Sequence, residues 1–213
     1  MPADVTLARA RRHLARRDPV LAPIVKQVGP CLLRQGTHDH LFDGLLRAII
    51  SQQLSARAAE TIHRRVCALA GADGRADPRA IAALPPEALR GAGLSTRKAE
   101  YVIDLARRVG DGVLHLDALA ALGDEEAMTE LTAIRGIGRW TAEMVLIFLL
   151  HRLDILPLDD VGLQRAVQRA YRLPRKPSPA HLTRIAEPWR PWRSVACWYL
   201  WRWLDALPPA GAG

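Results

Sequence analysis

The stretch AIRGIGRWTAEMVLIFLL, Ala133 to Leu150, decides how this chain is read. Two glycines stand two positions apart, Gly136 and Gly138, followed by Trp140 and an apolar run. Glycine opens backbone angles with positive φ that are closed to bulkier side chains. The pair therefore ends one helix and starts another within very few residues. The helix from Trp140 is apolar on nearly every face, which places it in a core. The amides of Gly138, Arg139 and Trp140 would lie at its N-terminus, where no intrahelical acceptor exists. They would point outward beside the positive end of the helix dipole, which makes an anion site. An anion bound without base contacts is most simply a DNA phosphate. A plain helix–helix corner uses the same glycines, so the turn alone leaves both readings open.

Working outward, helical spacing recurs. Phe42, Leu45, Leu46, Ile49 and Ile50 fall on one face of a helix. Ala99, Val102, Ile103, Ala106 and Val109 repeat the pattern, with Ser95 or Thr96 as cap and Gly110 as stop. Leu163, Val167 and Tyr171 mark a helix begun at Asp159–Asp160. Ser178-Pro179 begins another, with Pro at the first helical position. Alternating β-branched runs are absent, so an all-α protein is expected. Five of the six Trp lie between Trp189 and Trp203. That stretch is also apolar on most faces and is expected to share a core with the helix from Trp140. RGAGLSTRKAEYV (90–102) echoes RGIGRWTAEMV (135–145), each reading as helix, glycine hairpin, helix. GADGRADP (71–78) and LPRKPSP (173–179) are loops, and the tail is expected to be disordered.

The 213 residues carry a formal charge of +8, with a sequence pI near 10.2. Such a balance points first to nucleic acid. Arg9, Arg11, Arg12, Arg16 and Arg17 read as a solvated helix face. Cys31, Cys67 and Cys197 lie far apart with no CxxC pair, which excludes a zinc knuckle and an iron–sulfur ligand set. An odd, sparse cysteine count suits a reducing cytoplasm. The longest apolar run, Met144 to Leu150, is too short to span a bilayer, and the N-terminal arginines lead into no signal-peptide core.

The hairpin gains specificity from its neighbours. LTAIRGIGRWTAEMVL (131–146) resembles the helix-hairpin-helix of the DNA glycosylase superfamily that also has a Gly/Pro-rich loop and a catalytic Asp. HLFDGLLRAIISQQLSARAA (40–59) resembles that family's early helix and Q-x-S segment, and LRGAGLSTRKAEYVIDLA (89–106) the helix before the hairpin. LPLDDVGLQRAV (156–167) resembles the segment holding the catalytic Asp. EPWRPWRSVACWYLW (187–201) resembles the C-terminal signature of the 3-methyladenine DNA glycosylase II family. The motifs run in order from about residue 40 to 204. Of Asp159 and Asp160, the family pattern places the catalytic residue last before the helix, which is Asp160. The same residue reads as an N-cap, and the two roles are compatible.

The resemblance implies a chemistry. Breaking a glycosidic bond develops positive charge on the sugar, which a carboxylate stabilises while orienting water. Relatives that also cut the DNA backbone place a Schiff-base Lys just after the hairpin's Gly-Arg/Lys. That position is Trp140 here, and none of Lys26, Lys98 and Lys176 lies there. A monofunctional glycosylase follows. By resemblance, Trp140 and Trp201 line the pocket for the extruded base, with Met144 where some relatives have Tyr. A cationic alkylated purine suits stacking on indole. The gap left in the DNA is filled by a protein wedge, with Gln53 at the wedge position and Leu54 beside it. Gly136, Gly138, Arg139 and Thr141 would contact DNA. Several relatives hold a monovalent cation by hairpin carbonyls, here those of Thr132, Ile134 and Ile137, which makes Na+ or K+ a candidate structural ion.

The resemblance thus implies one glycosylase domain over 1–204, made of two helical lobes with an active-site cleft between them. The N- and C-terminal segments share one lobe, the middle helices form the other, and 205–213 is a disordered tail. The expected activity is excision of alkylated purines, of the 3-methyladenine and 7-methylguanine type, from double-stranded DNA. No cofactor is required. The protein is expected to act as a monomer in the cytoplasm, associated with the nucleoid when on DNA, and with no membrane contact. Two alternatives stay open: a glycosylase for hypoxanthine, ethenoadenine or an oxidised base, and a non-catalytic DNA-binding module.

Overall fold

The computed structural model describes residues 3–33, 41–70 and 75–208. Among the described residues there are α-helices and a 3-10 turn but no strand, as the absence of β patterning implies. The chain divides into two compact units, one formed by Met1–Gly36 with His151–Gly213 and the other by Thr37–Leu150.

The first unit opens with α1 (Ala3–Arg17) and α2 (Leu21–Val28). The second holds α3 (Leu41–Ser51), α4 (Ala56–Ala70), α5 (Pro78–Ala83), α6 (Pro86–Gly91), α7 (Thr96–Gly110), α8 (Leu116–Ala121), α9 (Asp124–Thr132) and α10 (Arg139–Phe148). The chain then returns to the first unit for α11 (Val161–Ala170), α12 (Pro179–Ala186) and α13 (Arg193–Asp205).

Local chemistry sets the starts of these helices. Asp77 accepts the Ala80 amide at 2.8 Å ahead of Pro78, and Ser178 accepts the His181 amide at 3.3 Å ahead of Pro179. Ser95, not Thr96, caps α7 by accepting the Lys98 amide at 3.3 Å. Each cap satisfies one orphan donor and contributes about 1 kcal/mol. The stop expected at Gly110 is where α7 ends, with Asp111 as its C-cap. Asp111 N donates to Arg107 O at 2.8 Å, and the chain turns at Gly112, with φ +71.

Burial follows the apolar stripes. α3 buries Leu41, Phe42, Leu45, Leu46, Ile49 and Ile50, and α7 buries Ala99, Val102, Ile103, Leu105 and Ala106. The two most apolar segments, expected as neighbours in one core, fall in different units. α10 packs on α9 and α3 in the second unit, whereas α13 packs on α11 and α2 in the first. An all-round apolar helix signals burial but does not name its partner.

In the first unit, buried Asp18 gathers four donors: the Val20 and Leu21 amides at 2.9 and 3.1 Å, Trp189 Nε1 at 2.8 Å, and the Tyr171 hydroxyl. Asp154 accepts from Arg193 at 2.8 and 3.0 Å and from Arg190 at 2.9 Å, while Ser194 N donates to Leu153 O at 3.0 Å. These bonds pin the segment leading to Asp160 against the start of α13. Asp205, the expected first residue of the tail, is the last residue of α13. Residues 209–213 of that tail, and 71–74 of the expected GADGRADP loop, lie outside the described residues.

Candidate active site and DNA-contacting hairpin

In the first unit, Asp160 is the N-cap of α11, and its Oδ1 accepts the Leu163 amide at 2.5 Å. The same oxygen accepts Trp201 Nε1, from α13, at 2.9 Å. Gly162 makes room for this meeting. A Cβ there would lie 3.2 Å from Asp160 Oδ1 and 3.5 Å from Trp201 Cδ1. Asp160 is 9% exposed, while Asp159 faces solvent. Two N–H donors on one oxygen fix the plane of the carboxylate, and burial strengthens the field it projects. Trp201, expected as a base-stacking ring, therefore also orients the carboxylate, a role that residue spacing did not signal.

In the second unit, α9 ends at Thr132 and α10 begins at Arg139. Gly136 has φ +88, in the left-handed region. Gly138, expected to need the same freedom, has φ −84 and ψ 173. It is the N-cap of α10, and caps take extended backbone that any residue adopts. A Cβ on Gly136 would overlap the Tyr101 ring, 2.7 Å from Cγ, whereas a Cβ on Gly138 meets nothing within 4 Å. Only Gly136 is thus imposed by both backbone and packing. Arg135 lies over the same Tyr101 ring, 5.7 Å from its centroid. Ile134 and Ile137 are buried, and the Ile137 amide donates to Ile134 O at 3.0 Å.

The first turn of α10 divides its side chains. Trp140 is 47% exposed, at the mouth of a helix whose middle, Thr141 to Ile147, is buried but for half-buried Met144. Arg139 is exposed, with Nε 3.2 Å from Oε1 of buried Glu143. Thr141, grouped by sequence with the DNA contacts, is buried at 8% and faces the interior with Val145, one turn on. Its side chain is therefore not presented outward.

The loop after α3 carries both wedge candidates exposed, Gln53 with φ +57 and Leu54 at 40% exposure. A left-handed residue other than glycine costs about 1–2 kcal/mol and needs support. The Leu54 amide donates to Ser51 O at 3.1 Å. Lys98 Nζ donates to Ile50 O at 2.7 Å and Gln52 O at 2.6 Å, and Gln52 Nε2 donates to Gly136 O at 2.8 Å. Partial burial lowers the pKa of Lys98 from its ordinary value. Nothing in the sequence assigned Lys98 or Gln52 this supporting role. The carbonyls they serve carry no side-chain signature.

Met144 lines a depression of about 340 Å³ whose walls include Ala48, Ala59 and Phe148. Close by, Asp43, His63 and Cys67 gather polar atoms within 4.8 Å of one another. His63 Nε2 is 2.6 Å from Asp43 Oδ1, while Cys67 Sγ lies 3.5 and 3.7 Å from the two ring nitrogens. Near-equal distances to both nitrogens place the sulfur against the ring, so the three groups do not converge on one point. Burial raises the pKa of the Cys67 thiol, and the Asp43 charge adds to the effect. The thiol is a packing group.

Residues 46–191 match the family described as HhH-GPD superfamily base excision DNA repair protein. The chain is 33% identical over 204 residues to the alkylbase DNA glycosidase-like protein mag2 of Schizosaccharomyces pombe, covering 95% of this chain and 96% of that one. It is 33% identical to DNA-3-methyladenine glycosylase 1 of the same yeast, covering 92% and 87%. The solved structure of S. pombe 3-methyladenine DNA glycosylase (Mag1) in complex with abasic DNA aligns with a TM-score of 0.78 at 33% identity, covering 91% of this chain and 95% of that one.

Proposed function

The chain belongs to the HhH-GPD superfamily of base excision DNA repair proteins, and from that premise we propose that it excises alkylated purines from double-stranded DNA. It is an N-glycosylase of the 3-methyladenine type, hydrolysing the bond between base and deoxyribose. DNA-3-methyladenine glycosylase 1 of S. pombe, a relative named for that activity, matches over 87% of its length. The observation that carries the reading is the buried Asp160 carboxylate, held by Leu163 N and Trp201 Nε1 inside the family match.

Asp160 faces the sugar as positive charge develops and orients the attacking water. Leu163 N and Trp201 Nε1 hold its plane through the reaction. Trp140 and Met144 receive the flipped base, whose cationic ring stacks on exposed indole for roughly 0.5–2 kcal/mol. The leaving group is already activated by its charge. Amides at the start of α10, with Arg139 beside them, take a backbone phosphate, and Gln53 or Leu54 fills the gap in the stack. Hydrolysis consumes only water, so no cofactor is required. The carbonyls of Thr132, Ile134 and Ile137 would hold a monovalent cation at the hairpin. Ile134 O already accepts Ile137 N, and a carbonyl's second lone pair keeps it available. Among the described residues no helix is long and apolar enough to cross a membrane. The substrate places the enzyme on cytoplasmic DNA, where it acts as a monomer.

The test is release of 3-methyladenine, 7-methylguanine, hypoxanthine and ethenoadenine from duplex DNA. Both methylated purines are expected in the supernatant. Release of hypoxanthine or ethenoadenine alone would replace the substrate class, and release of nothing would leave a DNA-binding module.

Two further outcomes are expected. Trp201→Phe keeps a ring but deletes the donor to Asp160, so excision should slow about tenfold, the size of a lost charge-assisted hydrogen bond. An unchanged rate would assign Trp201 to stacking and packing alone. Excision should also leave an intact abasic strand until alkali or heat is applied. Position 140 offers no amine, and the Lys98 ammonium is engaged with two carbonyls. A borohydride-trapped protein–DNA adduct would overturn the monofunctional assignment.

A further inference from the structure

α3 ends at Ser51, and its last carbonyls have no partner in their own helix. Lys98 supplies one, its Nζ donating to Ile50 O at 2.7 Å and to Gln52 O at 2.6 Å. The ammonium thereby sits at the negative end of the α3 dipole, where a cation is favoured. The next residue, Gln53, holds φ +57, and the Leu54 amide closes the turn onto Ser51 O at 3.1 Å. Gln52 faces both ways. Its carbonyl accepts Lys98, while its side-chain Nε2 donates to Gly136 O at 2.8 Å. Gly136 in turn rests on the Tyr101 ring. Lys98 and Tyr101 both belong to α7, so one helix brackets the loop and the hairpin together.

We infer that Lys98 and Gln52 are positioning residues that lock the Gln53–Leu54 loop to the glycine hairpin. A phosphate held by the hairpin then sets how far the loop enters the duplex beside it. Search and base flipping are coupled through two carbonyls and one amide side chain, with no contact between Lys98 and the reacting atoms. The inference rests on the glycosylase reading above, in which that loop fills the gap left by the flipped base.

The experiment separates flipping from anchoring. Duplex DNA carries 7-methylguanine beside 2-aminopurine, whose fluorescence rises as its neighbour leaves the stack. Lys98→Met removes both donated bonds and keeps the apolar stem. Gln52→Met keeps the length and removes the donor to Gly136 O without adding charge beside the phosphate. Read in an Asp160→Asn chain, both variants should lose most of the fluorescence gain. With Asp160 intact, their excision rate at saturating enzyme should fall about tenfold, the scale of one charge-assisted hydrogen bond. Affinity for undamaged duplex should stay within about twofold, because sequence-independent phosphate contacts dominate it. Lys98→Arg, which can still reach two carbonyls, should restore part of the gain.

Normal flipping in both Lys98→Met and Gln52→Met would overturn the coupling. A fall in undamaged-duplex affinity in step with flipping would also overturn it, making these residues general supports of the hairpin. If the unsubstituted chain neither raised the fluorescence nor released 7-methylguanine, the glycosylase reading would fail first and this inference with it.

Discussion

Asp160→Asn is expected to bind duplex DNA as the unsubstituted protein does and to lose base excision by roughly a thousandfold, since the charge facing the sugar cation is gone. The substitution suits the question because the fold should tolerate it. Asn is as good an N-cap as Asp, and its side-chain oxygen can still accept from Leu163 N and Trp201 Nε1, now at 2.5 and 2.9 Å from Oδ1. Melting temperature should therefore move little while the rate collapses. Asp159 is the internal control. It is exposed, so Asp159→Asn should excise at close to the native rate. The reverse pattern, an active Asp160→Asn and an inactive Asp159→Asn, would show that the neighbouring carboxylate does the chemistry.

The hairpin and most helices could be read from the chain because their signals are local. Glycine pairs, Ser and Asp caps, prolines at first helical positions and apolar stripes act within a turn or two of themselves. Asp160 was legible twice, as the cap of α11 and through its family motif. The features that escaped join distant parts of the chain. Trp201 lies 41 residues beyond the carboxylate it holds, and Lys98 lies 46 residues beyond the Gln52 carbonyl. A buried carbonyl accepts from whichever donor the fold brings near, so nothing at Ile50 or Gln52 announced Lys98. The same limit explains α10 and α13. Each is apolar enough to be buried, yet composition did not separate the unit of one from the unit of the other. The echo between 90–102 and 135–145 shows how fine the failure can be. Both runs make helix, glycine turn, helix, but positive φ falls on the second glycine of one, Gly93, and the first of the other, Gly136.

That difference sets the second large effect. Gly136→Ala is expected to weaken binding to damaged and undamaged duplex alike by at least about tenfold, through positive-φ strain of about 1–2 kcal/mol together with overlap on the Tyr101 ring. Gly138→Ala should do far less. Its backbone is extended and a Cβ there meets nothing within 4 Å. Adding Tyr101→Ala to Gly136→Ala should recover part of the loss, because it relieves the overlap and leaves the backbone strain. All of these proteins should bind more weakly as salt rises, since phosphate contacts release counterions. The readout is affinity for two duplexes, one with a lesion and one without. Equal losses in Gly136→Ala place the hairpin on the DNA backbone, where contacts carry no base information. Normal binding to undamaged duplex with loss of lesion discrimination alone would assign the hairpin to the base pocket. A larger defect in Gly138→Ala than in Gly136→Ala would mean that the N-cap itself lies against the phosphate, where even a methyl group does not fit.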